Sequence, residues 1–297
     1  MKNIIGHKKI FLSIAALLVI LSIASIAIFG FRPSIEFAGG TLWQIRFASA
    51  EVDRAALEGA LREAGIAEGS IVTEVGEGSQ FLIRSKELNE EEHVRVGTAL
   101  TSTLGTFEEL SFQTIGAAVG GETKTKAITA VIMVLVGISL YIAFAFRKVS
   151  YPVNSWKYGF ITLITLFHDA AIPAGLFALL GYVLHVEVDV NFIVALLLVM
   201  GFSVHDTIVV FDRIRENLRL SQKGKTSFED LVNTSVNQTM ARSVNTSLTL
   251  VLVLIALYVL GAENLRYFIL TILVGVVMGT YSSIFVASPL LTIWRKK

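Results

Sequence analysis

Residues 10–29 and residues 127–146 are each 20 residues long and contain no charged side chain. At about 1.5 Å rise per residue, a helix of that length crosses the roughly 30 Å hydrocarbon core of a bilayer. Residues 267–288 form a third uncharged run, which Pro289 is expected to close. Three further apolar stretches carry ionisable groups: 158–180 with His168 and Asp169, 190–211 with His205 and Asp206, and 241–260 with Arg242. The pattern predicts six transmembrane helices. Composition agrees, with only 16% charged residues in 297 and a mean hydropathy of +0.67. Soluble domains average about 25% charge, so an ordinary cytosolic enzyme is excluded. The absence of cysteine excludes disulfides, thiol catalysis and Cys-ligated metal sites. A net charge of +1 offers nothing to nucleic acid.

The first span is too long for a signal peptide and lacks a small-residue cleavage site, so it reads as an uncleaved anchor. Orientation follows from the short loops. Lys2, Lys8 and Lys9 precede the first span; Arg147, Lys148 and Lys157 lie between the second and third. Arg213, Arg215, Arg219, Lys223 and Lys225 join the fourth to the fifth, and Arg295, Lys296 and Lys297 follow the sixth. The opposite loops hold only Glu187 and Asp189, then Glu263 and Arg266. By the positive-inside rule both termini are cytoplasmic, in a membrane crossed several times.

The chain therefore divides into residues 1–29 (N-terminus and first span), 30–126 (an extracytoplasmic domain) and 127–297 (five spans with cytoplasmic loops). Segment 30–126 holds 15 acidic and 9 basic residues, a net charge of −6. Long loops translocate regardless of charge, so this does not contest the topology. Thr41, Trp43, Ile45 and Phe47 alternate onto one face of a strand. Leu57, Ala60, Leu61 and Ala64 make one helical stripe within 53–64. Strands are predicted over 70–75 and 80–85. Asn89 with Glu92 is the spacing of a capping box, opening a helix to about Leu104. A last strand covers 107–115. The order βαββαβ predicts a ferredoxin-like α+β domain, a fold that serves many functions.

An ionisable residue inside a bilayer is costly and points to function. Asp206 lies in the cytoplasmic half of the fourth span and Arg242 near the cytoplasmic end of the fifth, which puts both at similar depth. A pair there would neutralise itself. Gln238, Arg242, Asn245, Thr246 and Thr249 recur at helical spacing as one polar stripe, and Thr162, Thr165 and Asp169, with His168 beside them, form another. Polar faces of this kind can hold water and pass protons. Burial favours a neutral carboxylic acid while a nearby guanidinium favours the carboxylate, so helix movement would switch the proton affinity of Asp206. The plainer alternative is that the Asp–Arg pair is structural glue. His168 or Thr165 would simply satisfy Asp169, and His205 would face a headgroup or a partner. Gly275, Gly279 and Ser283 have the small-xxx-small spacing of helix packing.

Enzyme motifs are missing. Gly116 and Gly121 have Walker-A spacing, but Glu122 stands at the lysine position. There is no His-Glu-x-x-His and no Gly-x-Ser-x-Gly. Asp169 and Asp206 lack the sequence context of an intramembrane aspartyl dyad. No enzyme activity, cofactor or metal site is expected. With no ATP site, a moving machine here would draw on the membrane potential, worth about 2.3 kcal/mol per charge per 100 mV.

Gly201-Phe-Ser-Val-His-Asp-Thr-Ile-Val-Val-Phe-Asp-Arg-Ile-Arg-Glu-Asn217 resembles the fourth-helix signature of the SecF family, the smaller membrane subunit of the bacterial SecD–SecF protein-export complex. Arg242-Ser-Val-Asn-Thr-Ser-Leu-Thr249 is similar to its fifth-helix signature, and 279–289 to its final helix. Phe37-Ala-Gly-Gly-Thr41 resembles the Phe-x-Gly-Gly element after its first helix, and His168-Asp169 its third-helix dipeptide. The resemblance covers essentially the whole chain in order. It differs in having Ile35-Glu36 where the family usually places an Asp, and His205 where Asn is common.

The resemblance implies a relative of the resistance–nodulation–division exporters that pairs with SecD in a pseudo-symmetric twelve-helix unit. That unit would associate with the SecY–SecE–SecG channel and with YajC, within the membrane lipid. It would use the proton-motive force to draw exported, unfolded polypeptide outward after SecA has driven it through. The family's proton-transport residues fall on Asp206 and Arg242, with a further aspartate in SecD; sodium-coupled members also exist. One alternative is a scaffold that holds SecD and YajC at the channel without conducting protons itself. Another is half of a small-molecule exporter, against which stands a loop too short for a large apolar substrate cleft.

Overall fold

The computed structural model describes residues 2–48, 52–66, 70–74, 79–147, 153–220 and 226–294. Helix α1 (Lys8–Phe29) and a short α2 (Ile35–Ala38) lead into β1 (Gly40–Phe47), α3 (Arg54–Glu63), β2 (Ile71–Glu74) and β3 (Gln80–Ser85). Helix α4 (Glu90–Leu104) and β4 (Phe107–Ile115) follow. Then come α5 (Ala117–Ala145), α6 (Ser155–Val183), α7 (Val190–Leu220) and α8 (Phe228–Leu260). Helix α9 (Arg266–Ser282) passes through a π-helical turn, Ser283–Ala287, into α10 (Ser288–Ile293). The chain forms two compact units, residues 33–127 and residues 1–32 with 128–297.

In the smaller unit the strands form an antiparallel sheet in the order β2-β3-β1-β4. The period-2 face of β1 is buried as expected, with Trp43, Ile45 and Phe47 joining Phe81, Ile83 and Val72 against Leu57 and Leu61 of α3 and Val96 and Leu100 of α4. Helix α3 opens where Asp53 Oδ1 accepts from Ala56 N at 2.7 Å. Helix α4 opens on a complete capping box: Asn89 Oδ1 accepts from Glu92 N at 2.9 Å and Glu92 Oε2 accepts from Asn89 N at 3.0 Å. Gly39 and Gly40 turn the chain from α2 into β1 with φ of +74° and +119°. A Cβ at Gly39 would fall 2.6 Å from Ala117 Cα, and one at Gly40 2.7 Å from Ser85 O. Only glycine meets both demands.

Six helical segments of the larger unit are long and apolar enough to cross a membrane. They are not equivalent. The spans of α6, α7 and α9–α10 are 56, 44 and 56% buried, against 11, 11 and 17% for those of α1, α5 and α8. The first three are therefore the inner helices, around a core of Tyr158, Phe211, Ile284 and Leu291, and the last three present leucine and isoleucine outward. Small residues bring the inner helices close. A Cβ at Gly279 would lie 2.9 Å from Ser203 Cβ, and one at Gly275 would strike Val199, which is the packing role expected of that stripe.

Several helices outrun their hydrophobic segments. Helix α5 begins at Ala117, not 127, carrying a Glu122–Lys126 pair at 2.8 Å. Helix α7 continues to Leu220 through Arg213–Glu216 at 2.7 Å and an Arg215–Asp212 ion pair. Helix α8 starts at Phe228, capped by Ser227 and with Glu229 and Asp230 in its first turn. A helix in water needs charge pairs and caps instead of an apolar surface, so hydropathy marks only the part inside the membrane. Pro289 does not close the sixth span: it sits in the first turn of α10, where its missing N–H is tolerated, after the π turn has widened the helix. The end of the strand predicted over 70–75, Val75, lies outside the described residues, as do Lys148, Lys223, Lys225, Arg295, Lys296 and Lys297.

Candidate intramembrane polar site

Asp169 is fully buried in α6. Its Oδ1 meets His168 Nδ1 at 2.8 Å. Its Oδ2 accepts hydroxyl hydrogen bonds from Ser203 of α7 and, at 2.7 Å, from Ser282 of α9. Thr162 and Thr165, in its sequence stripe, do not reach it: their hydroxyls donate to carbonyls of their own helix, Tyr158, Ile161 and Thr162. His168 is 3% exposed, and its Nε2 has no hydrogen-bond partner.

Asp206, one turn after Ser203 on α7, is 2% exposed. Ser247 of α8 donates to its Oδ2 at 3.5 Å, and Thr280 Oγ1 of α9 lies 2.5 Å from Ser247 Oγ. His205 Nδ1 stands 3.8 Å from Asp206 Oδ1, but the imidazole is 67% exposed and faces away from the bundle.

The expected Asp206–Arg242 pair is not formed among the described residues. The α8 residue level with Asp206 is Ser247. Arg242 lies five positions earlier, roughly 7 Å along the axis, and on another face of the helix. Ser235, Thr239, Ser243 and Ser247 turn inward, while Gln238, Arg242, Asn245, Thr246 and Thr249 are exposed on the outside of this chain. The similar depth expected for the pair is off by more than a helical turn, and which side each residue faces is not legible in the sequence. Arg242 instead lines a cleft of about 380 Å³ with Asp212, Arg213, Glu216, Gln238 and Thr239, where Gln238 Oε1 accepts from Arg213 Nε at 2.7 Å and Asn217 Nδ2 at 2.8 Å.

Sequence reasoning missed Ser203, Ser247, Thr280 and Ser282, the hydroxyls that hold the two carboxylates. The available signal was their spacing: Ser203 precedes Asp206 by one turn, and Ser247 follows Ser243 by one turn.

Residues 95–297 match the family described as "Protein export membrane protein SecD/SecF, C-terminal". The chain belongs to that family. It is 42% identical to the protein translocase subunit SecF of Thermobaculum terrenum, over 100% of this chain and 95% of the relative. It is 38% identical to the SecF subunit of Anaerolinea thermophila, over 99% and 94% of the two chains. Among solved structures, the crystal structure of SecDF, a translocon-associated membrane protein from Thermus thermophilus, superposes with a TM-score of 0.82 at 36% identity. That match covers 99% of this chain and 38% of SecDF, so this family member spans well under half of the fused relative. SecDF in its Super-membrane-facing form gives a TM-score of 0.69.

Proposed function

We propose that this chain is the SecF-type subunit of an inner-membrane SecD–SecF complex and that it couples ion movement to the late stage of polypeptide export. The observation that carries the reading is Asp206: a carboxylate buried among apolar helices, with a single long hydroxyl contact at 3.5 Å and no cation in firm contact within this chain among the described residues. A carboxylate so sparsely held is an expensive arrangement unless it takes up and releases a cation. The outward stripe with Arg242 faces where a partner's helices would pack, and SecD is the partner that the fused SecDF relative supports. Proton-motive force is the energy source, with H⁺ entering and leaving Asp206 as the helices shift. Arg242, from its cleft, supplies a counter-charge when the two groups approach.

In this reading the termini are cytoplasmic and the smaller unit is extracytoplasmic. Its element order and its β2-β3-β1-β4 sheet support a ferredoxin-like reading. It would meet emerging polypeptide beside the SecY–SecE–SecG channel, with YajC alongside. In cells, Asp206→Asn and Arg242→Met should each abolish gradient-dependent stimulation of a pulse-labelled exported reporter while SecD still co-purifies. Arg242→Lys should not restore it, because a point charge does not replace the guanidinium fork. The scaffold reading draws on the same outward polar stripe, which would serve as a docking face alone. It predicts normal export with both point variants and loss only on deletion of the chain.

A further inference from the structure

The bundle buries two carboxylates, and the proposed function uses one. Asp169 is the more completely enclosed, and its three donors come from three helices: His168 on its own, Ser203 on α7 and Ser282 on α9. Each serine shares a helix with Asp206 or with a residue of its hydroxyl chain. Ser203 is one helical turn from it on α7. Ser282 is two residues from Thr280, whose hydroxyl is 2.5 Å from Ser247, the residue that contacts Asp206. We infer that Asp169 is a positioning residue for Asp206: one hydrogen-bonded group (Asp169, Ser203, Ser282) and a second (Asp206, Ser247, Thr280) are joined by the backbones of α7, which carries Ser203 and Asp206, and α9, which carries Ser282 and Thr280. The inference deepens the proposed function and rests on it for the role of Asp206.

One of these contacts is slack. Hydroxyl–carboxylate contacts favour about 2.5–3.0 Å; the Ser282–Asp169 and Thr280–Ser247 links lie in that range, while Ser247–Asp206 is 3.5 Å. Ser247 is held by Thr280 and stands back from Asp206, so a small shift between α7 and α8 opens or closes that contact first. The hydroxyls also allow two proton orders. With Asp206 ionised, Thr280 donates to Ser247 and Ser247 donates to the carboxylate. With Asp206 protonated, its O–H donates to Ser247, Ser247 donates to Thr280 Oγ1, and the Thr280 hydrogen turns to the Val276 carbonyl, already at 2.9 Å.

The backbone is interrupted at both ends of the Asp169–Ser282 link. Pro173 has no N–H to offer the Asp169 carbonyl four residues back, and the π turn begins at Ser283, directly after Ser282. On α7 and α9, Gly279 against Ser203 leaves no space for the helices to slip closer. The titratable groups around Asp169 are His168 beside it, Tyr281 on α9, whose hydroxyl donates to Phe11 O of α1 at 2.8 Å, and His205 and Asp206 on α7. Helix α1 adds none between Lys9 and Phe29.

The test measures gradient-driven export against pH for the full chain with SecD in proteoliposomes. Asp169→Asn and Ser282→Ala should leave SecD co-purification intact and move the pH of half-maximal stimulation by about one unit. Ser282→Ala should add little further shift in a Ser247→Ala background, since the contact by which α9 reaches Asp206 through Thr280 is already lost there. Should Asp169→Asn fail to assemble, the serine pair still decides. Abolition by Asp206→Asn, combined with an unmoved profile for Ser282→Ala or additive serine effects, overturns the positioning role alone. Full stimulation with Asp206→Asn overturns the proposed function instead.

Discussion

Ser243 and Ser247 lie one turn apart on the inner face of α8, both buried, and they make opposite predictions. Ser243 Oγ has no hydrogen-bond partner; Ser247 bridges Thr280 and Asp206. Ser247→Ala should therefore cut gradient-stimulated export about tenfold, the scale of losing a hydrogen bond to a charged group. Ser243→Ala removes an unsatisfied group and should leave export unchanged, with thermal stability in detergent equal or slightly higher. At this scale the sequence was readable where chemistry is conspicuous. Asp169, Asp206 and His168 stand out in the sequence because such residues are rare in apolar helices. Their serine and threonine partners do not, because most helical hydroxyls only bond the carbonyl a turn behind, as Thr162 and Thr239 do here. Arg242 stands out as well, but the pair with Asp206 is not formed within this chain among the described residues. Sequence spacing gives its depth only to within a turn or so, and its contact depends on how α8 is rotated against α7.

Elements were legible through period and length, and their ends were not. The apolar run reports the part of α5, α7 or α8 inside lipid; the remainder is held by caps and i,i+3 or i,i+4 pairs that hydropathy ignores. The capping box of α4 shows the converse, a boundary read correctly because its chemistry is local. Asn89→Ala should weaken α4 by about 1 kcal/mol, seen as faster hydrogen exchange of its first-turn amides and little change in the membrane helices. Between α7 and α9, Gly279→Val places methyl groups where Ser203 already sits. Overpacking of this kind costs about 1–3 kcal/mol and should lower the thermal unfolding midpoint in detergent, together with export. The π turn and the placement of Pro289 had no sequence signature, since a proline after an apolar run reads equally well as a stop.

For the whole molecule, low overall charge conceals an uneven distribution. Segment 30–126 carries 15 of the 24 acidic residues, which leaves the membrane helices so poor in charge that Asp169, Asp206 and Arg242 stand apart. Family membership follows from similarity across the full length, and the structure adds how two of those charges are held. The central claim, that Asp206 couples an ion gradient to export, is tested most directly in proteoliposomes holding this chain with its SecD partner and the translocation channel. Export of a labelled precursor is measured under an imposed proton gradient, an imposed sodium gradient and none, for wild type and Asp206→Asn. The account predicts stimulation of wild type by the proton gradient and none for Asp206→Asn at equal complex yield. Equal stimulation of both proteins would contradict it.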